Sequence, residues 1–293
     1  MARVRDRTLF TVDTRSHYSG SVVVRRHVTR PPVGALWGWA QVALARNATE
    51  TLVRGTALVL APHPDDETIG CGLLLAEVAQ RGHATSVAVA TDGGNGWHSV
   101  LPRPAVDDVV TVRRGEWQSA LDALAVPRDR RFELGFADGT LEDHEEEVAA
   151  RLGALLRDLS PSHVFVTKLD DHHPDHRALA RAARRAVIEV YGSRAGQSTN
   201  GAAPELYTYR VYPAGGLWPD GYPTRPTLAM TLAQLARSVV RLTRRRPLLL
   251  RVQRSKPAKV AAVEAYVSQR RLLDGELRYV WRPGVELYGK MDL

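Results

Sequence analysis

Two short stretches of this chain concentrate the residue types that hold metals and move protons: Pro62-His63-Pro64-Asp65-Asp66-Glu67 and Asp170-Asp171-His172-His173-Pro174-Asp175-His176. A catalytic Zn²⁺ takes its ligands from His, Cys or Asp/Glu and keeps one position for water. His63 and Asp66 stand three residues apart where a loop enters a helix, so both can turn to one point, and His176 would complete a His-Asp-His set with open positions. Asp65, beside a ligand but not needed as one, suits a carboxylate that takes a proton from metal-activated water. His173 suits a general acid or an imidazolium facing an oxyanion, and Asp175 suits a carboxylate that orients a neighbouring imidazole. Capping is the competing explanation, because aspartates at a helix start complement its dipole. Two such clusters, each directly after an apolar run, favour the metal site.

The elements that must position these residues follow from hydrophobic periodicity. Apolar runs predict strands at 57–61, 86–90, 131–134 and 163–167. Between them lie helical patterns. One covers 68–80 and ends at Gly82; the next carries Trp117, Ala120, Leu121 and Leu124 at i, i+3, i+4, i+7. A third sets Val148, Leu152, Leu155, Leu156 and Leu159 on one stripe before Pro161, and a fourth follows Pro174 with Leu179, Ala183, Ala186, Val187 and Val190 on one face. Strands alternating with helices of this length predict an α/β fold with a parallel sheet covered on both sides. Such sheets bind ligands at the carboxyl ends of their strands, where both clusters fall. Residues 205–212 are expected as an edge strand, 213–226 as an aromatic-rich loop, and 228–242 and 256–271 as helices. Residues 1–55 form an expected N-terminal extension packed on the core, with short strands near 8–12 and 21–24 and an apolar helix over 33–45. Residues 56–293 form the expected main domain.

Composition bounds the function. A 293-residue chain with 44% hydrophobic and 25% charged residues suits a globular enzyme. No run reaches the ~20 apolar residues of a membrane span, and the charged start lacks the apolar core of a secretory signal. Cys71 is the only cysteine, which excludes an intramolecular disulfide and a Cys-based zinc site and makes cytoplasmic the default. The +8 charge comes from arginine, with only four lysines. It is spread out except between 237 and 254 and has no nucleic-acid motif beside it, so a nucleic-acid partner is not expected. Leucines and valines interleave with the arginines there, as in an amphipathic packing face rather than a membrane surface. The arginine- and alanine-rich coding suits a bacterial genome.

The two motifs resemble those of the PIG-L/LmbE-like family of zinc-dependent N-deacetylases, which act on N-acetylglucosamine-type sugars. Similar stretches are Arg113-Arg114-Gly115-Glu116, 134–139, Lys259 and Ser268-Gln269, covering about Thr56 to Gln269. The resemblance implies a Rossmann-like three-layer fold, His63, Asp66 and His176 as metal ligands, Asp65 as general base and His173 as acid or electrostatic partner. It implies Arg113 as a substrate-binding residue, against a solvated face or an ion pair with Glu116. The expected cofactor is Zn²⁺, though a His-Asp-His set also fits Fe²⁺. The expected substrate is an N-acetylated amino sugar; an amidase acting on another amide, or a non-catalytic glycan-binding protein, would use the same fold. In one departure, Asp171 stands where some family members have a tyrosine that assists the tetrahedral intermediate. That role is then absent, moved, or supplied by Tyr207, Tyr209, Tyr212, Trp218 or Tyr222, most of which suit packing at a sheet edge better.

Overall fold

The computed structural model describes residues 41–99, 102–192, 202–211, 246–274 and 284–293, with Ala236 and Val240 between. The expectations for 1–40, 213–226 and most of 228–242 fall outside them. All lie in one compact unit, Pro31–Leu293.

The described strands are β1 (Arg46–Asn47), β2 (Ala57–Ala61), β3 (Thr85–Thr91), β4 (Arg131–Phe136), β5 (His163–Val166), β6 (Glu205–Tyr209), β7 (Leu248–Arg251) and β8 (Val285–Lys290). They form one sheet in the order β1-β7-β8-β6-β5-β2-β3-β4. β6, β5, β2, β3 and β4 run parallel, while β8 is antiparallel to both β6 and β7. Every residue of β2 and β3 is buried, as expected of central parallel strands covered on both faces. The helices are α1 (Thr49–Leu52), α2 (Asp66–Gln80), α3 (Val106–Ala123), α4 (Glu145–Leu159), α5 (Pro174–Tyr191), α6 (Lys256–Ala265) and α7 (Arg270–Asp274). Val59 of β2 packs into a core with α2, α3 and α6, and its neighbours Leu58 and Leu60 into a core with α4 and α5. Side chains alternate across a strand, so one apolar run feeds both layers.

From β2 the chain builds outward through β3 to β4, then returns to place β5 on the other side of β2. The crevice outside the carboxyl ends of β2 and β5 is therefore the point where strand order reverses, which open α/β sheets use for ligands. The loop entering α2 carries His63 to Asp66, and the loop entering α5 carries Asp170 to His173.

Two expectations are corrected, on the strand at 205–209 and on the start of the helix at 68–80. The strand at 205–209 is interior, because β8 covers the edge it was expected to leave open. Leu248, Leu249 and Leu250 lie in strand β7 with their side chains buried, while Arg251 is exposed. The helix at 68–80 begins two residues earlier, at Asp66. Ahead of β2, β1 pairs with β7, and Leu52 and Val53 enter the core.

α2 is tied to β8 through its backbone. The Leu73 and Leu74 amides donate to the Glu286 carboxylate at 2.7 and 3.0 Å. Their partners one turn back, the Ile69 and Gly70 carbonyls, accept from Lys259 Nζ at 2.7 Å and the Tyr288 hydroxyl at 3.3 Å. Lys259 and Glu286 close the network at 2.7 Å, both buried. Gly72 makes room for this, since a Cβ there would stand 2.9 Å from Lys259 Cγ, and a Cβ at Gly70 would strike the Tyr209 ring. Gly115 of α3 meets nothing within 4 Å. Gly70→Ala should therefore lose about 1–3 kcal/mol of unfolding free energy to overpacking. Gly115→Ala should gain about 0.5–1 kcal/mol, as an exposed helical glycine does. Urea denaturation of the two variants checks the opposite signs.

Candidate metal centre

The β2–α2 and β5–α5 loops meet on one oxygen. Asp66 Oδ2 lies 3.1 Å from His63 Nδ1 and 3.3 Å from His176 Nε2, and accepts the His63 amide at 3.0 Å. Ligand atoms about 2.0–2.1 Å from a tetrahedral Zn²⁺ lie about 3.3 Å apart, so each of these two spacings suits a pair of donors on one ion. The far nitrogen of each imidazole faces carboxylate. His63 Nε2 lies 3.1 Å from Asp175 Oδ2 and 3.2 Å from Asp138 Oδ1, while His176 Nδ1 lies 3.4 Å from Asp171 Oδ2. A carboxylate behind each imidazole fixes its tautomer and raises its basicity towards a metal. Asp175 is itself pinned by the amides of Gly139 and Leu141.

Electrostatics agree with a cation site. Burial presses the His176 pKa down, but Asp66 and Asp171 outweigh it and hold it up at about 9. His63 is likewise raised, against its burial, by Asp138, Asp175 and Asp66. Burial works against ionisation of Asp66, yet the two imidazoles hold its carboxyl well below the usual carboxylate range. Four carboxylates thus surround two imidazoles that hold protons at neutral pH. A divalent cation can exchange for those two protons at constant charge.

His173 also brings a ring nitrogen into this group, within 4.8 Å of those of His63 and His176. Its Nδ1 accepts the Asp175 amide at 3.3 Å, capping α5. A backbone N–H can only donate, so the neutral ring carries its proton on Nε2 and is a donor rather than a ligand. Burial and the neighbouring His63 and His176 push its pKa down to about 4, which disfavours an imidazolium.

Asp65 stands apart from the ligand cluster. It precedes α2 with φ 127° and ψ −28°, a strained conformation for a non-glycine residue that costs about 1–3 kcal/mol. Such strain persists only where the surroundings enforce it. Arg113 supplies part of that hold, with Nη2 on the Pro64 carbonyl at 2.6 Å and Nη1 on Asp65 Oδ2 at 3.3 Å. The guanidinium is buried against Asp65, not solvated and not paired with Glu116, which instead accepts the amide and hydroxyl of Ser268. Burial raises the Asp65 pKa to about 7, with Arg113 pulling the other way.

Sequence reasoning missed Asp138 and the position of Asp171. Asp138 follows β4 as the clusters follow β2 and β5, and that strand-end placement was its signal. The Tyr209 hydroxyl donates to the Leu60 carbonyl at 2.9 Å, and that of Tyr207 donates to Glu205. Neither hydroxyl replaces the missing tyrosine, and Tyr212, Trp218 and Tyr222 lie outside the described residues. Zn²⁺ titrated calorimetrically at pH 7 should release protons, with affinity rising as pH rises towards about 9 and His176 loses its proton. Asp171→Asn should weaken that binding about 10- to 100-fold.

Residues 58–187 match the family model of PIG-L, described as GlcNAc-PI de-N-acetylase. The 1D-myo-inositol 2-acetamido-2-deoxy-alpha-D-glucopyranoside deacetylase of Nocardiopsis dassonvillei is 32% identical over 181 residues, 51% of this chain and 61% of that protein. The chain spans 61% or less of the first curated relatives it matches. Among solved structures, N,N'-diacetylchitobiose deacetylase from Pyrococcus horikoshii superposes with a TM-score of 0.60 at 18% identity, covering 87% of this chain and 92% of that one. GalB, the 4-carboxy-2-hydroxymuconate hydratase of Pseudomonas putida, superposes with a TM-score of 0.55 at 19% identity, covering 81% and 95%. These two likenesses show the fold alone, and one such fold serves a deacetylase and a hydratase. The motif residues thus lie at the crevice that the fold reserves for ligands, within the segment 58–187 that matches the PIG-L family model.

Proposed function

We propose that this protein is a metal-dependent hydrolase, with zinc the preferred metal, that removes the N-acetyl group from an N-acetylglucosamine-type sugar or glycoconjugate. The observation that carries the reading is the sharing of Asp66 Oδ2 by His63 Nδ1 and His176 Nε2, beside a carboxylate, Asp65, that is buried but not drawn into the cluster. A divalent cation held by His63, Asp66 and His176 would polarise the acyl carbonyl and acidify a water. Asp65 takes the proton of the attacking water, and its raised pKa suits a base working near neutrality. His173 Nε2–H donates a hydrogen bond to the oxygen on which charge develops. Asp65 then returns its proton to the departing amine as the C–N bond breaks, giving the free amino sugar and acetate. Arg113 holds Asp65 in place and keeps its carboxyl ionisable. The family description and the relative's printed substrate support the acetamido-sugar class.

Acetate release from N-acetylglucosamine conjugates, assayed with metal-loaded protein, tests the reading. Asp65→Asn should cost orders of magnitude in kcat while about one metal per chain is retained. Metal loss in that variant would make Asp65 a ligand, and release of a longer acid from other amides would make the protein an amidase of different specificity. In the pH profile, kcat/KM should fall on the acid side as Asp65 gains its proton, with a midpoint at or below about 7, because a bound cation pulls the carboxyl further down. Arg113→Gln removes a positive charge beside Asp65 and should move that limb to higher pH.

A further inference from the structure

We propose that Glu67 and Tyr266 are positioning residues for Asp65: they hold its backbone in the strained conformation and relieve its carboxylate of helix-capping duty. This rests on the reading of Asp65 as general base. An aspartate before the first turn of a helix ordinarily turns its carboxylate onto the N2 or N3 amide. Asp65 makes no such bond, although it occupies the cap position of α2. Glu67, two residues on and fully buried, instead accepts the Asp65 amide on Oε2 at 3.2 Å. Its Oε1 accepts the Thr68 hydroxyl and the Tyr266 hydroxyl, both at 2.6 Å.

Tyr266 is fully buried and comes from the end of α6, far along the chain from the motif it supports. Its segment is anchored to the site's surroundings by Ser268 on Glu116 of α3 and by the Gln269 side-chain amide on the Gly96 carbonyl. Asp65 is thus gripped at three points: Arg113 Nη1 on its carboxylate, Arg113 Nη2 on the Pro64 carbonyl before it, and Glu67 on its amide. Without Glu67, the Asp65 amide loses its acceptor and that peptide is held against relaxation of φ only through Arg113 on the Pro64 carbonyl. The freed carboxylate would then swing onto the α2 amides, away from the position where it meets water.

The test combines kinetics and crystallography on Glu67→Ala, Glu67→Gln and Tyr266→Phe in the full-length, metal-loaded protein. Displacing a catalytic group by about 1 Å costs up to about 100-fold in rate. Glu67→Ala should therefore lower kcat about 10- to 100-fold, with KM and metal content unchanged. Glu67→Gln, which keeps one acceptor oxygen, should recover part of that loss, and Tyr266→Phe should lose less than Glu67→Ala. The crystal structure of Glu67→Ala should show Asp65 out of positive φ with its carboxylate on the first turn of α2. A kcat within twofold of wild type, a loss of kcat only in step with loss of metal, or an unchanged Asp65 conformation would each overturn the proposal. If the wild type releases no acetate, the deacetylase reading fails, and the crystallographic comparison still decides whether Glu67 and Tyr266 set the Asp65 conformation.

Discussion

The site depends on one buried carboxylate oxygen. Asp66 Oδ2 is held by His63 from the loop just before it and by His176 from the first turn of α5, after β5. This contact brings together side chains separated by more than a hundred residues and two intervening strands. It forms only because the sheet places β5 directly beside β2. Any shift in that pairing would separate His176 from Asp66 and leave charged groups buried without partners, a costly outcome in a low-dielectric interior.

Around this oxygen the protein divides its acids by environment. Asp66, Asp138, Asp171 and Asp175 lie against imidazoles, and their carboxyls are held below the usual range against their burial. Asp65, one residue from Asp66, is pushed the other way, chiefly by burial. Neighbouring carboxylates with opposed pKa shifts are a means by which a protein separates a charge-holding role from a proton-moving one. Here the separation comes from a reversal of backbone direction. At φ 127°, the Asp65 carboxylate meets Arg113 rather than hydrogen-bonding to the histidines.

The scaffold beneath the site is braced by a second buried ionic network. Lys259 and Glu286 engage the backbone of α2 just beyond its first turn, and Tyr288 adds a third contact. The helix that presents Asp66 is therefore fastened to strand β8 and helix α6, both from the C-terminal part of the sequence. Tyr266 reaches the same helix start through Glu67. The C-terminal part of the chain thus does more than complete the sheet, because it fixes the helix on which the first motif rides.

Residue types and hydrophobic periods by themselves determined the alternation of strands and helices, the covered parallel sheet and the two clusters at strand ends. These are local properties: period-2 and period-3.6 patterns, glycine and proline stops, and polar residues directly after apolar runs. Strand neighbours were not local. β8 reads Val285-Glu286-Leu287-Tyr288, yet the residues it buries are Glu286 and Tyr288, because Lys259 and the α2 amides await them; its hydrophobic pattern names the wrong face. For the same reason 205–209 looked like an edge until β8 covered it. Arg113 could be placed on a helix from its spacing but not against Asp65. Asp138 gained its place at His63 only when the loop after β4 folded over the end of β3. What the sequence determined was which residues could do the chemistry; which nitrogen faces which carboxylate, and which aspartate stays outside the cluster, only the tertiary structure decided, because those depend on distances between segments that no local pattern encodes.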